Sequence, residues 1–370
     1  MAEWIECKIS DIGTVVGGAT PSTKKPENYE NGTIAWITPK DLSTFSGRYI
    51  QSGERNITET GLKSCSTQLL PKNTVLFSSR APIGYMAIAA NDICTNQGFK
   101  SVIPNEKIDP IFLYYLLKYN KDKIESMGSG TTFKEVSGST MKNIVVYIPE
   151  DKKVQERIAS VLDSIDNKIE ENERINNNLQ EQAQAMYCDL FITNASPSWQ
   201  FGHLSDLINV RYGKDHKKLA DGAYPVYGSG GIMRYVERPL YDKESVLIPR
   251  KGTLNNVMYV NEPFWSVDTM FFTEMKLPNV AKFVFHFVKS KNLASLNAGS
   301  AVPSMTTDIL NAMELSIPDA DTFTKFESIV APMYQAMQQN RQESNKLAEL
   351  RDLLLPRLMS GKLDVSDLNP

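Results

Sequence analysis

Hydrophobic and polar positions follow two contrasting patterns along this 370-residue chain. The first consists of short apolar runs, such as TIAWIT, TVLFSS, YMAIAA and NIVVYIP, that are bounded by turn-forming residues. Such runs are typical of short β-strands in an irregular, turn-rich globule. Two longer stretches, 110–126 and about 281–296, are apolar on every face. Each predicts one buried helix.

The second pattern is a long amphipathic stretch that occurs twice. From Lys153 to Phe191 there is no Gly or Pro, and apolar residues recur mostly at steps of three and four. This indicates a long helix with a narrow apolar seam, as in a coiled coil. A second helix is predicted from Thr324 to about Leu355, and Pro356 is expected to break or end it. The predicted seam residues are Ile158, Leu162, Ile165, Ile169, Leu179 and Met186 in the first helix and Phe326, Ile329, Met333, Met337, Leu347, Leu350 and Leu354 in the second.

A narrow seam cannot be covered by its own globule, so the two helices are expected to pair with each other in antiparallel orientation. The alternative is that each amphipathic helix packs on its own domain. Asn172 and Asn340 interrupt the seam at equivalent positions. A polar Asn in a seam can set the register of a coiled coil, although the seam can equally end or shift there.

The chain also repeats itself in order. WIECKISDI from Trp4 matches WQFGHLSDL from Trp199, 195 residues later, and Ile158 aligns with Phe326, 168 residues later. This pattern indicates a tandem duplication with diverged loops. We therefore predict an α+β protein with two duplicated, strand-rich globules, separated by two long helices that form an antiparallel coiled coil. The predicted divisions are 1–149 and 196–320 for the globules, 150–195 for the central helix, and 321–370 for the C-terminal helix and tail.

Charge is segregated along the chain, although the net charge is only −3. Residues 211–251 contain nine Lys or Arg and five Asp or Glu, whereas residues 150–190 contain ten acidic and five basic residues. The loop-rich segment is therefore basic and the helix acidic. Solvated faces of both kinds are the simplest interpretation, and a polyanion-binding surface is the alternative.

The sequence also limits the compartment and the chemistry. The four dispersed cysteines contain no CxxC pair and the three histidines complete no zinc site, which favours a reducing compartment. No leader peptide and no apolar run of about 20 residues is recognisable, so a cytoplasmic protein without membrane contact is expected. GSGTTFKEVSG lacks the Gly-Lys-Ser/Thr of a phosphate loop, no Asn-Pro-Pro-aromatic motif occurs, and GSGG is expected to be a turn.

Several segments resemble specificity subunits of type I restriction-modification systems. They are the tail LAELRDLLLPRLMSGKLDVSDL, the opening WIECKISDIGTVVGGATPS, AWITPKDL, VLFSSRAPIG and VQERIASVLDSIDNKIE. The second globule's VRYGKDHKK departs from the GGATPS pattern. The resemblance implies that 1–149 and 196–320 are target recognition domains, each reading one half of a gapped double-stranded DNA target, and that the coiled coil sets the gap.

The resemblance also implies partners. Two modification subunits would dock on the helices and carry S-adenosylmethionine for adenine methylation, and a motor-nuclease subunit would join for restriction. This chain would bind no cofactor or metal and would catalyse nothing. The alternatives are a coiled-coil scaffold with two protein-binding heads, and an enzyme that fuses recognition with catalysis, for which the chain has little room.

Candidate DNA contacts are polar and basic residues in loops. Lysines are expected to hold phosphates. Arg80 and Arg250 follow equivalent VLF and VLI runs and are candidates for base edges, because an Arg fork can pair with both acceptors of guanine. Each also fits a structural ion pair. Trp36, Trp265 and Tyr227 are expected in the core. The full set of candidates is Lys24, Lys25, Lys40, Ser79, Arg80, Thr131, Thr132 and Lys134 in the first globule, and Arg211, Lys214, Lys217, Lys218, Arg250, Lys251, Ser300 and Ser304 in the second.

Overall fold

The computed structural model describes residues 3–130, 134–296 and 304–365. The chain divides into two compact units, one comprising Met1–Arg174 with Asn340–Pro370 and the other Ile175–Gln339. Each unit therefore contains one globule and one half of each long helix. Thr131, Thr132 and Ser300 lie outside the described residues.

The described part of the first unit contains ten strands, six short helices and a 3₁₀ turn at Pro26–Asn28. Its strands are β1 (Trp4–Lys8), β2 (Gly13–Gly17), β3 (Ile34–Ile37), β4 (Tyr49–Ile50), β5 (Arg55–Ile57), β6 (Val75–Ser79), β7 (Ile83–Ala89), β8 (Cys94–Thr95), β9 (Lys100–Pro104) and β10 (Val145–Pro149). Its helices are α1 (Ile9–Ile12), α2 (Pro39–Ser43), α3 (Glu59–Lys63), α4 (Pro110–Tyr119), α5 (Lys121–Ser126) and α6 (Gly138–Lys142), and the long α7 (Lys152–Cys188) begins here.

The second unit repeats this plan. Its strands are β11 (Gln200–His203), β12 (Ile208–Tyr212), β13 (Tyr224–Gly228), β14 (Gly231–Val236), β15 (Ser245–Pro249), β16 (Met258–Val260), β17 (Trp265–Ser266), β18 (Met270–Met275) and β19 (Glu314–Ile317). Its helices are α8 (Leu204–Leu207), α9 (Ala281–Lys289) and α10 (Thr307–Asn311), with a 3₁₀ turn at Leu293–Leu296, and the long α11 (Ala320–Met359) begins here.

The sheets follow the duplicated order. The first globule has a five-stranded sheet, β2-β9-β6-β7-β4, and a three-stranded sheet, β5-β3-β8. The second has the orders β12-β18-β15-β16 and β14-β13-β17. In each globule the first and last strands pair with each other, since Trp4 lies opposite Pro149 and Gln200 lies opposite Ile317. All four apolar runs predicted as strands are strands, namely β3, β6, β7 and β10.

Each core joins a sheet to the long helices through the globule's own helix. In the first unit, Phe77 of β6 and Phe112 of α4 are buried in the same cluster as Ile158 of α7 and Leu358 of α11. In the second unit, Phe283 of α9 is buried with residues of both long helices. Burying each such side chain contributes about 1.5–3 kcal/mol, so the globules are docked firmly on their halves of the helices.

Within each unit the two long helices run antiparallel. In the first unit, Asp166 and Lys168 of α7 contact Arg351 and Glu343 of α11, respectively, so residue numbers rise on one helix as they fall on the other. The buried Asn172 donates to the carboxylate of Glu343 at 2.8 Å. The predicted α+β architecture with paired antiparallel helices is confirmed.

The predicted end of the second helix was wrong. Helix α11 continues past Pro356 to Met359, and it also contains Pro332. Pro356 removes the one helix hydrogen bond that its own N–H would donate, and the burial of Leu358 and Met359 in the first unit's core supports the final turn. The chain leaves the helix at Gly361, whose φ of +70° suits glycine.

Three further boundaries differ from the predictions. Helix α7 ends in a π-helical turn, Asp189–Thr193. The helix predicted over 110–126 is divided at Asn120, where α4 ends and α5 begins. The helix predicted to about residue 296 ends at Lys289.

The structure contradicts the predicted seam at two positions. Met186 and Leu350 are 38% and 44% exposed. In α7 the buried face moves to Ala183 and Tyr187, because Tyr187 packs against Phe283 of α9, with ring centroids 5.7 Å apart. The other predicted seam residues are buried or half-buried, and these are Ile158, Leu162, Ile165, Ile169, Leu179, Phe326, Ile329, Met333, Met337, Leu347 and Leu354.

Candidate nucleic-acid interface

A glycine starts the basic loop of each globule at the same point of the duplicated fold. Gly18 and Gly213 are 195 residues apart and follow β2 and β12. A Cβ on Gly18 would lie 2.1 Å from the carbonyl oxygen of Thr95, and one on Gly213 would lie 2.0 Å from that of Val267. Since atoms cannot approach so closely, only glycine lets these loops cross the neighbouring strand.

A buried tryptophan holds each loop at the next residue. The indole Nε1 of Trp36 donates to the carbonyl oxygen of Ala19 at 3.1 Å. That of Trp265 donates to the carbonyl oxygen of Lys214, the equivalent residue, at 2.8 Å. The two tryptophans lie on different strands, β3 and β17. Both are in the core, as predicted, and Tyr227 is also buried.

The tryptophan-held loops and the loops near the arginine turns carry exposed lysines. Lys24, Lys25, Lys134, Lys214, Lys217, Lys218 and Lys251 are all exposed and form no ion pair with any described residue. Lys40 and Arg211 are different, because they pair with the carboxylates of Glu54 at 2.7 Å and Glu274 at 2.9 Å. Seven of the predicted lysines are thus available to phosphates without breaking a described ion pair.

The two candidate base-reading arginines occupy equivalent turns but have different partners. Arg80 follows β6, and its Nη1 lies 3.6 Å from a carboxylate oxygen of Glu135, which also pairs with Lys100 at 3.2 Å. Arg250 follows β15, and its guanidinium carbon lies 5.4 Å from the centroid of the Tyr212 ring.

In both globules the arginine turn is fastened to the loop that precedes α6 or α10. The backbone N–H of Val136 donates to the carbonyl of Ser79 at 3.0 Å, and that of Met305 donates to the carbonyl of Arg250 at 2.9 Å. The backbones of Ser304 and Lys251 form an isolated antiparallel β-bridge. The structure therefore brings Lys134 and Ser304 next to the arginine turns.

One predicted contact does not reach the surface. Ser79 is fully buried, and its hydroxyl donates to the carbonyl of Gly98 at 3.1 Å. It is the last residue of β6, where the side chain points into the sheet. The prediction that its hydroxyl contacts DNA is therefore wrong.

Two exposed features of the second globule were missed. Tyr212 is 53% exposed, and Ile232, Met233 and Tyr235 project from the edge strand β14. GSGG forms the tight β13–β14 turn that precedes them, as predicted. In the sequence, Tyr212 stands in VRYG, one residue before the crossing glycine. That position at the start of the basic loop could have identified it as a candidate contact.

A buried arginine fixes the first globule to α7. Arg48 is 3% exposed, and its guanidinium contacts Asp163, Asn167 and Glu170 of α7, the last at 2.8 Å. Burial alone would lower the pKa of Arg48, but the hydrogen bond with Glu170 and the neighbouring acidic groups hold it above its ordinary value. Arg48 therefore stays charged and orients the globule on the helix.

A lysine has the corresponding role in the second unit. The ammonium of the buried Lys282 on α9 pairs with Glu244 at 2.7 Å and with Glu327 of α11 at 2.6 Å. It also lies 5.1 Å from the centroid of the Tyr259 ring. Both globules are thus fastened to a long helix by a buried cation, although the residues come from different elements.

The described residues contain no cluster of His, Cys, Asp or Glu suited to a metal ion. In the same part of the chain, no helix is long and apolar enough to cross a membrane. Each globule thus carries loops with exposed lysines and an arginine turn, and in the second globule the exposed ring of Tyr212 lies beside Arg250.

Comparison with known proteins agrees with this architecture. A profile of the type I restriction modification DNA specificity domain matches twice, at residues 1–181 and 197–349. The type I restriction enzyme MjaIX specificity subunit of Methanocaldococcus jannaschii is 31% identical over 412 residues, covering 99% of this chain and 95% of that protein. The EcoprrI specificity subunit of Escherichia coli is 23% identical, covering 86% and 84% of the two chains.

A solved structure shows the same fold. The type I restriction-modification S subunit from M. genitalium superposes with a TM-score of 0.62 at 19% identity, covering 96% of each chain. The twofold profile match and the full-length relative establish that this chain belongs to the family of type I restriction-modification DNA specificity subunits. The predicted family is confirmed.

Proposed function

We propose that this chain selects the DNA sequence on which a type I restriction-modification complex acts, with each unit reading one half of a bipartite target. The observation that supports this most directly is the repeated framework: a crossing glycine, a tryptophan-held loop and an arginine turn in each globule. The side chains on the two frameworks differ, so the two half-sites are expected to differ in sequence.

The chemistry divides between affinity and selection. The exposed lysines neutralise phosphates, which positions the protein without conveying sequence. Arg80 and Arg250 reach base edges from the turns beside them. Because the whole chain carries a net charge of −3, we expect the isolated subunit to bind DNA weakly until its partners add their own contacts.

Family membership supports a proposal for the partners. Two modification subunits would dock on α7 and α11 and would bind S-adenosylmethionine for adenine methylation. A motor-nuclease subunit would join them for restriction, and the assembly would work in the cytoplasm. The chain itself would contribute selection and spacing, and no catalysis.

The test is a map of methylated adenines. The chain is expressed with the methyltransferase subunit encoded beside it, in a host without other DNA methylation. Two short sequence blocks separated by a fixed unspecified gap are expected. Exchanging residues 1–149 for those of a relative should change one block, and exchanging residues 196–320 should change the other.

The control is the unchanged block in each exchange. A change in both blocks from one exchange would refute independent reading by the two units. If an assembled complex methylates nothing, the alternative of a scaffold with two protein-binding heads would replace the proposal.

A further inference from the structure

The arginine turns differ in what already holds the guanidinium. Arg80 shares the Glu135 carboxylate with Lys100. Arg250 forms no ion pair with any residue that the structure describes. Among those residues its guanidinium therefore has no carboxylate partner, whereas the charge of Arg80 is partly neutralised by Glu135 before any ligand arrives.

In the second globule an aromatic ring, rather than a carboxylate, lies beside the arginine. The guanidinium carbon of Arg250 lies 5.4 Å from the Tyr212 ring centroid, within cation–π range. Tyr212 is itself fixed, because its ring meets the buried Phe271 edge-on at 5.0 Å. The equivalent position in the first globule is Gly17, which has no side chain. In the part of the chain that the structure describes, this support is present in the second globule and no ring lies beside Arg80 in the first.

The geometry leaves the arginine fork available. One N–H group of Arg250, on Nη1, donates to the carbonyl of Asp268 at 3.1 Å. Arginine has five N–H groups in a planar fork. Among the described residues, the Asp268 carbonyl is the one hydrogen-bond acceptor that the guanidinium of Arg250 meets, so its remaining donors are available. Two fixed points, the ring and the carbonyl, therefore orient a fork that can still make two parallel hydrogen bonds.

A fork of this kind matches one base above the others. Guanine presents two acceptors, O6 and N7, side by side in the major groove, and bidentate arginine is their commonest partner. A fork that is already oriented loses less freedom on binding. An arginine bound to a carboxylate must instead exchange or share that partner.

We infer that Arg250 reads a guanine in the half-site of the second unit, and that Tyr212 is the positioning residue that orients its guanidinium. The inference rests on the proposed function and adds the base and the residue pair. In the first unit, Arg80 acts through a different arrangement and needs no aromatic support.

The test uses the assembled methyltransferase complex and a duplex that carries its mapped target. Each guanine of the second half-site is replaced in turn by 7-deazaguanine, which lacks the N7 acceptor, and kcat/KM for methyl transfer is measured. For the wild-type complex we expect a loss of about 5- to 150-fold at one guanine. Replacement of guanines in the first half-site serves as the internal comparison.

Variants connect that guanine to the residue pair. Arg250→Ala should act equally on guanine and 7-deazaguanine at that position, because the contact is gone. Tyr212→Leu should remove most of the discrimination, whereas Tyr212→Phe, which keeps the ring, should retain it. Phe201→Leu is the matched control, since Phe201 is 69% exposed in the same unit but on β11.

Three outcomes would overturn the inference. The first is a second half-site without any G·C pair, and the second is an Arg250→Ala complex that still discriminates guanine from 7-deazaguanine as the wild type does. The third is a Tyr212→Leu complex whose kcat/KM falls by the same factor on both bases, so that its discrimination is unchanged. The last result would indicate a merely structural ring. Failure of the proposed function is distinguishable, because it would appear earlier as the absence of a bipartite methylation motif.

Discussion

The carboxylate of Asp166 in α7 accepts a hydrogen bond from the guanidinium of Arg351 in α11, at 2.7 Å. Its other oxygen accepts from the hydroxyl of Tyr115 in α4, also at 2.7 Å. One carboxylate therefore joins the globule to both long helices. Burial and the neighbouring Asp166 charge raise the pKa of Tyr115, so its hydroxyl remains a donor.

The second unit has a junction at the equivalent place with other chemistry. His286 of α9 lies 3.0 Å from the Tyr334 hydroxyl through Nε2 and 2.8 Å from the Gln184 side-chain oxygen through Nδ1. Tyr334 follows Asp166 by 168 residues, the offset of the duplicated helices. An ionic junction in one unit thus corresponds to a neutral one in the other.

Asp166→Asn should destabilise the first unit by on the order of 3 kcal/mol, because the largely buried Arg351 loses its buried charge partner and keeps only the exposed carboxylate of Asp352. Urea unfolding measures the change. The matched control is Arg174→Gln, which breaks an exposed pair with Glu171 and should cost less than about 1 kcal/mol. Equal, small effects of both variants would contradict the assigned role.

Acidification should weaken the second unit through His286. Burial, with a smaller effect of the Lys289 charge, lowers the pKa of His286 from its ordinary value of 6.5 to about 4. As pH falls below 6.5 the unfolded chain takes up a proton that the folded chain does not, so this contribution to stability is lost between about pH 6.5 and pH 4.

The loss should reach about 2 kcal/mol by pH 5. Thermal unfolding of the wild type and of His286→Gln at pH 7 and pH 5 measures it, and the variant should lose correspondingly less. An identical pH dependence of the two proteins would show that His286 does not titrate in this way.

Gly213→Ala should displace the basic loop of the second globule. Its Cβ would lie 2.0 Å from the Val267 carbonyl, and relieving such a clash costs on the order of 3 kcal/mol. Methylation should fall together with the unfolding temperature. Gly230→Ala is the matched control, because a Cβ there meets nothing within 4 Å. Comparable behaviour of both variants would remove the argument for the crossing glycine.

Insertion of seven residues after Asn172 in α7 alone should disrupt assembly, because the contacts of α7 with α11 would lose register. The same insertion after both Asn172 and Asn340 should restore pairing, since a heptad returns the seam to nearly the same face. Seven helical residues at about 1.5 Å each lengthen the helix by about 10 Å, which corresponds to about 3 base pairs at about 3.4 Å each. The unspecified gap should therefore lengthen by about 3 base pairs. Methylation mapping measures the gap, and an unchanged gap in an assembled double-insertion complex would contradict the expectation that the coiled coil sets the gap.

The duplication and the long helices were predictable because they depend on local and periodic signals. The Gly- and Pro-free run to Phe191 determines a helix by itself, and the 168-residue offset relates the two helices through their residues alone. Apolar runs such as TVLFSS likewise indicate buried strands. These features need no knowledge of what lies opposite.

The wrong predictions concern residues whose burial depends on a distant helix or strand. Leu350 looks like a seam residue, but its neighbour Arg351 faces inward because Asp166 accepts its hydrogen bond. Arg48 gives no signal in its own segment, since its partners are more than 100 residues away on α7. Ser79 ends the predicted strand TVLFSS, and its burial is decided by the neighbouring Gly98, whose carbonyl accepts from its hydroxyl.

The pairing of first and last strands has a consequence for inheritance. Because Trp4 lies opposite Pro149, and Gln200 opposite Ile317, the chain enters and leaves each globule at neighbouring points. A gene segment exchanged between these points brings in a complete domain. Both ends of that domain lie close together, at the place where it joins the long helices. New specificity can therefore arise by recombination of whole cassettes, while the helices that receive them remain unchanged.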